Sequence, residues 1–263
     1  MPENVLDKII RKKIEKIKII KEQITIDELN HKIEEKKNFI DFKEKIISNI
    51  KNKKTSLICE IKKASPSAGI IMEKYNPVDI AKIYYSKKAT CLSVLTEEDF
   101  FLGNLIHISK IKNEVNLPVL CKDFFVDKFQ VPLAKSHGAD AVLIILSALS
   151  DQQSKEIYQE ALNYNMSIIV EVHTIDEAKK LNYFKNAIIG INNRNLKTLD
   201  TNLNTTYDIY EIVKDYKNPI VAESGIKSRA DIIEIEKKTK IKTFLIGESL
   251  LKNMGENSIF SVL

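Results

Sequence analysis

Hydrophobic positions change their rhythm near residue 54. Before it, Val5, Ile9, Ile10, Ile14, Ile17 and Ile20 recur at helical spacing between charged residues, the periodicity of an amphipathic helix. A second helix is expected from an Asp27 N-cap through Ile47, with Glu28 in its first turn. Residues 1–50 are therefore read as one or two helices forming an N-terminal extension. After Lys54, short and nearly continuous apolar runs alternate with charged segments of helical period. The strand-like runs are SLICEIK (56–62), TCLSVL (90–95), LPVL (117–120), AVLIIL (141–146), SIIVEV (167–172), AIIGI (187–191), PIVA (219–222) and KTFLI (242–246). Between them lie helical stretches such as PVDIAKIYYSK (77–87), LIHISKIKNEV (105–115), SKEIYQEALNYN (154–165) and RADIIEIEKKT (229–239).

Strands that are apolar throughout, rather than alternating, belong to a sheet buried on both faces, and a helix after each one makes that sheet parallel. Eight such βα units predict an α/β fold, a closed (β/α)8 TIM barrel, with residues 1–263 as a single domain and 1–50 as its helical extension. An open doubly wound sheet is the alternative, but no glycine-rich dinucleotide loop follows the first strand.

Composition narrows the function. The chain is 44% hydrophobic and 29% charged, ordinary for a water-soluble protein with a sizeable core. No run approaches the roughly 18 apolar residues that span a bilayer. The N-terminal MPENVLDKIIRKKIEKIKII lacks the apolar centre of a secretory signal, so a cytoplasmic location without membrane association is expected. The net charge of +5 raises the possibility of nucleic acid, yet the chain has just three arginines, Arg11, Arg194 and Arg229. Its lysines alternate with glutamates, as in HKIEEKKNFIDFKEK, the pattern of solvated helix faces. No nucleic-acid partner is expected; the modest positive field suits a polyanionic metabolite. Cys59, Cys91 and Cys121 sit in apolar runs without metal-ligand spacing and are read as buried, reduced thiols.

In such barrels the reactive groups gather at the C-terminal ends of the strands, and here polar residues cluster where the apolar runs stop. The first run ends in Glu60-Ile61-Lys62. Alternation puts Glu60 and Lys62 on one face, either as an acid and base facing the barrel mouth or as an ordinary structural ion pair. The third run leads to Lys122-Asp123-Phe124 and the fifth to Glu171-Val172-His173. Asn192 and Arg194 after the sixth share parity, and the guanidinium offers a planar fork to a carboxylate or phosphate. The seventh and eighth give Glu223-Ser224-Gly225 and Gly247-Glu248-Ser249. Either these glycines are plain turn residues, or they let backbone N–H groups approach a phosphate at the usual barrel site. His173 is read as structural, and with no second His or Cys at ligand spacing neither metal nor cofactor is expected.

The stretches EIKKASPSAG (60–69), LSVLTEEDFFLG (92–103), PVLCKDFFVD (118–127), GADAVLII (138–145), VEVH (170–173), IGINNRNLKT (189–198), AESGI (222–226) and FLIGESL (244–250) together resemble the indole-3-glycerol phosphate synthase family of tryptophan biosynthesis. The resemblance runs from about residue 57 to 251. It implies cyclisation, decarboxylation and dehydration of 1-(2-carboxyphenylamino)-1-deoxyribulose 5-phosphate, a small phosphorylated substrate, without an obligate protein partner. It implies Lys122 as general acid, Glu171 as general base with Glu60 sharing proton traffic, and Lys62, Asn192 and Arg194 at the anthranilate end. Ser65, Glu223, Ser224, Gly225, Gly247 and Glu248 complete the substrate-binding set, mostly on the phosphate side. Departures from the family pattern include YYSKKATCLS (84–93), Ala68 where lysine is frequent, and a short stretch after Gly247 that predicts an abbreviated last helix. The length leaves no room for the isomerase domain fused in some relatives, so one activity is expected. A different phosphate-binding barrel, a sugar-phosphate isomerase or epimerase, would use the same glycines but not the Glu60, Lys62, Lys122 and Glu171 constellation. A basic nucleic-acid binder using the first 50 residues would need the arginines that the chain lacks.

Overall fold

Barrel closure follows from strands with no polar face to leave in water. In the computed structural model, which describes residues 4–252, 254 and 258–263, eight parallel strands form a closed barrel. They are β1 (Ser56–Ile61), β2 (Cys91–Leu95), β3 (Val119–Lys122), β4 (Ala141–Ile145), β5 (Ser167–Val172), β6 (Ile188–Asn192), β7 (Ile220–Glu223) and β8 (Thr243–Ile246). Each pairs with its neighbours in sequence, and β8 closes on β1 through Ser56↔Thr243 to Cys59↔Ile246. Alternate residues divide the core in two. Ile58, Cys91, Leu120, Leu143, Ile169, Ile188, Val221 and Leu245 fill the interior, while Leu57, Cys59, Leu92, Val94, Val119, Val142 and Ile168 pack outward against the helices. The fold is the expected (β/α)8 barrel.

Three helices precede the barrel: α1 (Val5–Gln23), α2 (Ile26–Glu34) and α3 (Phe42–Lys51). The expected helix from Asp27 through Ile47 is broken, and its cap is not Asp27. Thr25 caps α2 through a reciprocal box with Glu28, which leaves Asp27 in the first turn. The break has a tertiary cause, because Ile40 N donates to Asp140 Oδ1 at 2.7 Å and Asp41 caps α3 by accepting from Glu44 N. The extension wraps the barrel from end to end. Leu6 and Ile9 of α1 line the mouth, Leu29 of α2 packs beside Phe129 and Leu133, and α3 crosses the base. There Lys43 N meets Ser167 Oγ at 3.1 Å, and Asn49 Nδ2 meets Ser56 Oγ and Thr90 Oγ1 at 3.1 and 3.2 Å.

The connecting helices are α4 (Pro77–Ser86), α5 (Ile106–Glu114), α6 (Gln130–Ser136), α7 (Asp151–Asn163), α8 (Ile175–Ala178), α9 (Asn204–Val213) and α10 (Arg229–Thr239). After β8 comes the helix α11 (Glu248–Lys252), and among the described residues a 3-10 turn at Ser258–Val262 follows. The three cysteines are free and buried. Among the described residues, no helix is long and apolar enough to cross a membrane.

Candidate active site

The polar ends of the strands open into a cleft of about 1220 Å³. Every residue assigned to the site from the sequence lines it: Glu60, Lys62, Ser65, Lys122, Glu171, Asn192, Arg194, Glu223, Ser224, Gly225, Gly247 and Glu248. At its floor Lys122, the last residue of β3, donates from Nζ to Glu171 Oε2 and to Glu223 Oε2, both at 2.8 Å. Glu171 Oε1 accepts from Asn192 Nδ2 at 3.0 Å. At the end of β1 Lys62 Nζ donates to Glu60 Oε1 at 2.6 Å. Glu223, grouped from the sequence with substrate binding, therefore sits in the ionic cluster.

Burial and charge compete at Lys122, Glu171 and Glu223. Burial alone would push the Lys122 ammonium down, but the Glu171, Glu223 and Glu60 carboxylates outweigh it and hold the lysine protonated, above its ordinary range. Burial would likewise raise Glu171, yet Lys122 and His173 overcome that and hold it ionised, below the usual carboxylate range. Glu223 goes the other way. Burial, with Glu171 close by, raises it to about 7 against the pull of Lys122. The two glutamates on one ammonium are thus driven apart in acidity, a pattern that assigns different proton-transfer duties to similar groups.

Two contacts were not legible as functional in the sequence. His173 Nε2 lies 3.1 Å from Glu171 Oε1, without the alignment of a hydrogen bond, and its other ring nitrogen is 3.4 Å from Glu177 Oε2. Burial lowers the His173 pKa, but the two glutamates outweigh it and raise it to about 9, which keeps a cation beside Glu171 at neutral pH. The signal was present: residues 171 and 173 share a strand face. The second contact is Lys13 on α1, whose buried Nζ pairs with Asp123 Oδ1 at 2.7 Å. Asp123 also accepts from Thr96 Oγ1 at 2.6 Å and from its neighbour Phe124 N at 2.7 Å. This pair anchors the extension next to Lys122.

The walls differ in character. Leu6, Ile9, Phe101 and Phe124 make an apolar side, with the two rings 6.3 Å apart. Opposite, Ser224 and Gly225 adopt left-handed backbone (φ 63° and 77°), and Lys227 and Lys252 stand near Gly247 and Glu248. Between the walls Arg194 Nη1 donates to Ser67 Oγ, joining the loop after β6 to the loop after β1, while Arg194 N donates to Asn192 Oδ1 at 2.9 Å. Glu248 pairs with Lys252 at 2.6 Å, so its carboxylate is already engaged. Among the described residues no group of three or more His, Cys, Asp or Glu is arranged to hold a metal ion.

The family model described as indole-3-glycerol phosphate synthase matches residues 6–261. The chain is 38% identical over 258 residues to the indole-3-glycerol phosphate synthase of Trichodesmium erythraeum (strain IMS101), covering 95% of this chain and 85% of that protein. It is 40% identical over 252 residues to the tryptophan biosynthesis protein TrpCF of Buchnera aphidicola subsp. Schizaphis graminum (strain Sg), covering 95% of this chain but 53% of the relative, about half its length. A solved structure from Aquifex aeolicus VF5 superposes with a TM-score of 0.60 over 84% of this chain and 94% of its own, at 14% identity, a likeness of fold alone. The chain belongs to the indole-3-glycerol phosphate synthase family.

Proposed function

We propose that the chain converts 1-(2-carboxyphenylamino)-1-deoxyribulose 5-phosphate to indole-3-glycerol phosphate, with loss of carbon dioxide and water. The observation that carries this reading is Lys122 Nζ at 2.8 Å from both Glu171 and Glu223 on the cleft floor. Ring closure requires a proton on the substrate's ketone oxygen as the aromatic carbon attacks the carbonyl carbon. A buried ammonium held charged by carboxylates can deliver that proton. Glu171, kept ionised, is the base that removes a proton in the later dehydration, with Asn192 orienting it. Glu60 paired with Lys62 shares the proton traffic, and Lys62 and Arg194 hold the anthranilate carboxylate. Ser65, Ser224, Gly225, Gly247 and Glu248 form the phosphate side, the last two through their backbone. Apolar Leu6, Ile9, Phe101 and Phe124 suit the aromatic ring.

Anchoring a carboxylate and a phosphate at opposite ends keeps a flexible chain folded for attack, a proximity effect worth several kcal/mol. A positioned acid adds about 10²- to 10⁴-fold. The test is a direct ultraviolet assay for indole-3-glycerol phosphate formation from the ribulose phosphate. Wild-type protein should turn it over, and Lys122→Ala should lose at least about 10²-fold in kcat while substrate binding is largely spared. Absence of indole-3-glycerol phosphate with the wild type, or near-normal turnover with Lys122→Ala, refutes the reading.

A further inference from the structure

We propose that Gly190 is a positioning residue for the reaction proposed above: its missing side chain is the space that the Glu223 carboxylate occupies as it reaches Lys122 beside Glu171. Gly190 lies within β6, in register with Glu171 on β5, and two residues before Asn192, which is in register with Glu223 on β7. Alternation along a strand turns position 190 to the same face as Asn192, whose amide reaches Glu171. Strand β6 therefore separates two carboxylate-bearing strands whose glutamates must meet across it.

Backbone conformation does not call for glycine here. Among the described residues the glycines with positive φ are Gly69, Gly138 and Gly225, so any residue could adopt the Gly190 backbone. Room does call for it. A Cβ at 190 would overlap Glu223 Oε1 and lie 3.4 Å from Glu223 Cδ and 3.0 Å from Ile169 Cγ2. The overlapped atom is the end of a flexible side chain, so the carboxylate yields before the barrel does. Nothing else retains that oxygen, because Glu223 Oε1 is buried without a hydrogen-bond partner, and Oε2 alone meets Lys122. The arrangement recurs across the barrel, where a Cβ at Gly247 would overlap Glu60 Oε1. That Cβ would also stand 3.1 Å from Glu60 Cβ, which makes Gly190 the cleaner probe.

The experiment compares wild type, Gly190→Ala, Glu223→Asp and the double variant in the indole assay, with circular dichroism and urea midpoints as the measure of folding. Gly190→Ala should lose about 10²-fold in kcat, the usual consequence of a misplacement near 1 Å, with KM close to wild type because both ends of the substrate keep their contacts. Glu223→Asp alone should also lose activity, since the shorter carboxylate falls short of Lys122. In the Gly190→Ala background the same shortening relieves the overlap, so it should cost little or nothing further in kcat, a departure from additivity that marks direct coupling. Wild-type kcat in Gly190→Ala, or equal losses from Glu223→Asp in both backgrounds, overturns the inference. Should the single variant not fold, the double decides: a folded, active double upholds the inference and an unfolded one overturns it. Failure of the proposed reaction itself is separate, because the wild type would then form no indole-3-glycerol phosphate.

Discussion

Replacing Lys13 with methionine should loosen α1 from the barrel and weaken substrate capture more than chemistry. Lys13 and Asp123 bury their charges to 6% and 7% side-chain exposure at a separation of 2.7 Å. Methionine preserves most of the aliphatic stem, so the packing loss is small and the effect isolates the charge. Removing one partner of a buried pair typically costs about 3–5 kcal/mol, because the other charge stays behind unpaired. Asp123 retains its bonds from Thr96 Oγ1 and Phe124 N, which puts the cost near the lower end, about 3 kcal/mol, or on the order of a hundredfold in the docking equilibrium of α1. Since α1 carries Leu6 and Ile9 into the cleft wall, a raised KM with kcat reduced less is the expected kinetic signature. Hydrogen exchange should show α1 amides losing protection while those of β1 to β8 keep theirs. Adding Asp123→Ala should cost less than the sum of the single variants, as for groups in contact. Unchanged protection of α1 together with an unchanged KM would refute the reasoning.

At the barrel base, Asp140 accepts from Lys112 Nζ, Val119 N and Ile40 N at 2.8, 2.8 and 2.7 Å. Asp140→Ala strands all three, and a loss of about 3–5 kcal/mol is expected, read from urea unfolding, with kcat of the folded enzyme unchanged. An unaltered midpoint would count against it. His173 predicts a pH dependence. Its pKa is raised from 6.5 to about 9 in the folded chain, so the stability it contributes is fully present below about 6.5 and disappears as pH rises through about 9, at most about 3 kcal/mol. The stability gap between wild type and His173→Gln should therefore narrow from pH 6 to pH 10, and a constant gap would exclude the charge as its source.

Periodicity made the barrel legible because strands buried on both faces are apolar throughout. The same signal stops short where chemistry begins. The runs 117–120, 187–191 and 219–222 end before Lys122, Asn192 and Glu223, yet β3, β6 and β7 include those residues as their last. A polar residue looks like the end of a strand in sequence, whereas hydrogen bonding carries the strand on into the mouth. The helical extension was legible only in outline. The buried stripe of α1 is Leu6, Ile9, Lys13 and Ile17, and Ile14, counted as apolar, is 51% exposed. A lysine on that stripe makes sense only once Asp123, far along the chain, is found opposite it. The break between α2 and α3 is of the same kind, set by Asp140 a hundred residues away. The gathering of polar side chains at the strand ends was readable because parity and the family motifs agreed, but the position of Gly190 against Glu223 was not, since a vacancy has no signature until its neighbours are known.

The strap that the extension forms around the barrel also constrains how the chain matures. Its helices leave the ribosome before the barrel does, but the acceptors awaiting the turn before α3 and α3 itself lie 100 and 124 residues later, at Asp140 and Ser167. Contacts of such long sequence separation pay loop-closure entropy before they return any stability. Helices α1 to α3 must therefore wait, exposed and amphipathic, until at least β5 has been synthesised, and they complete the molecule as a late-docking clasp.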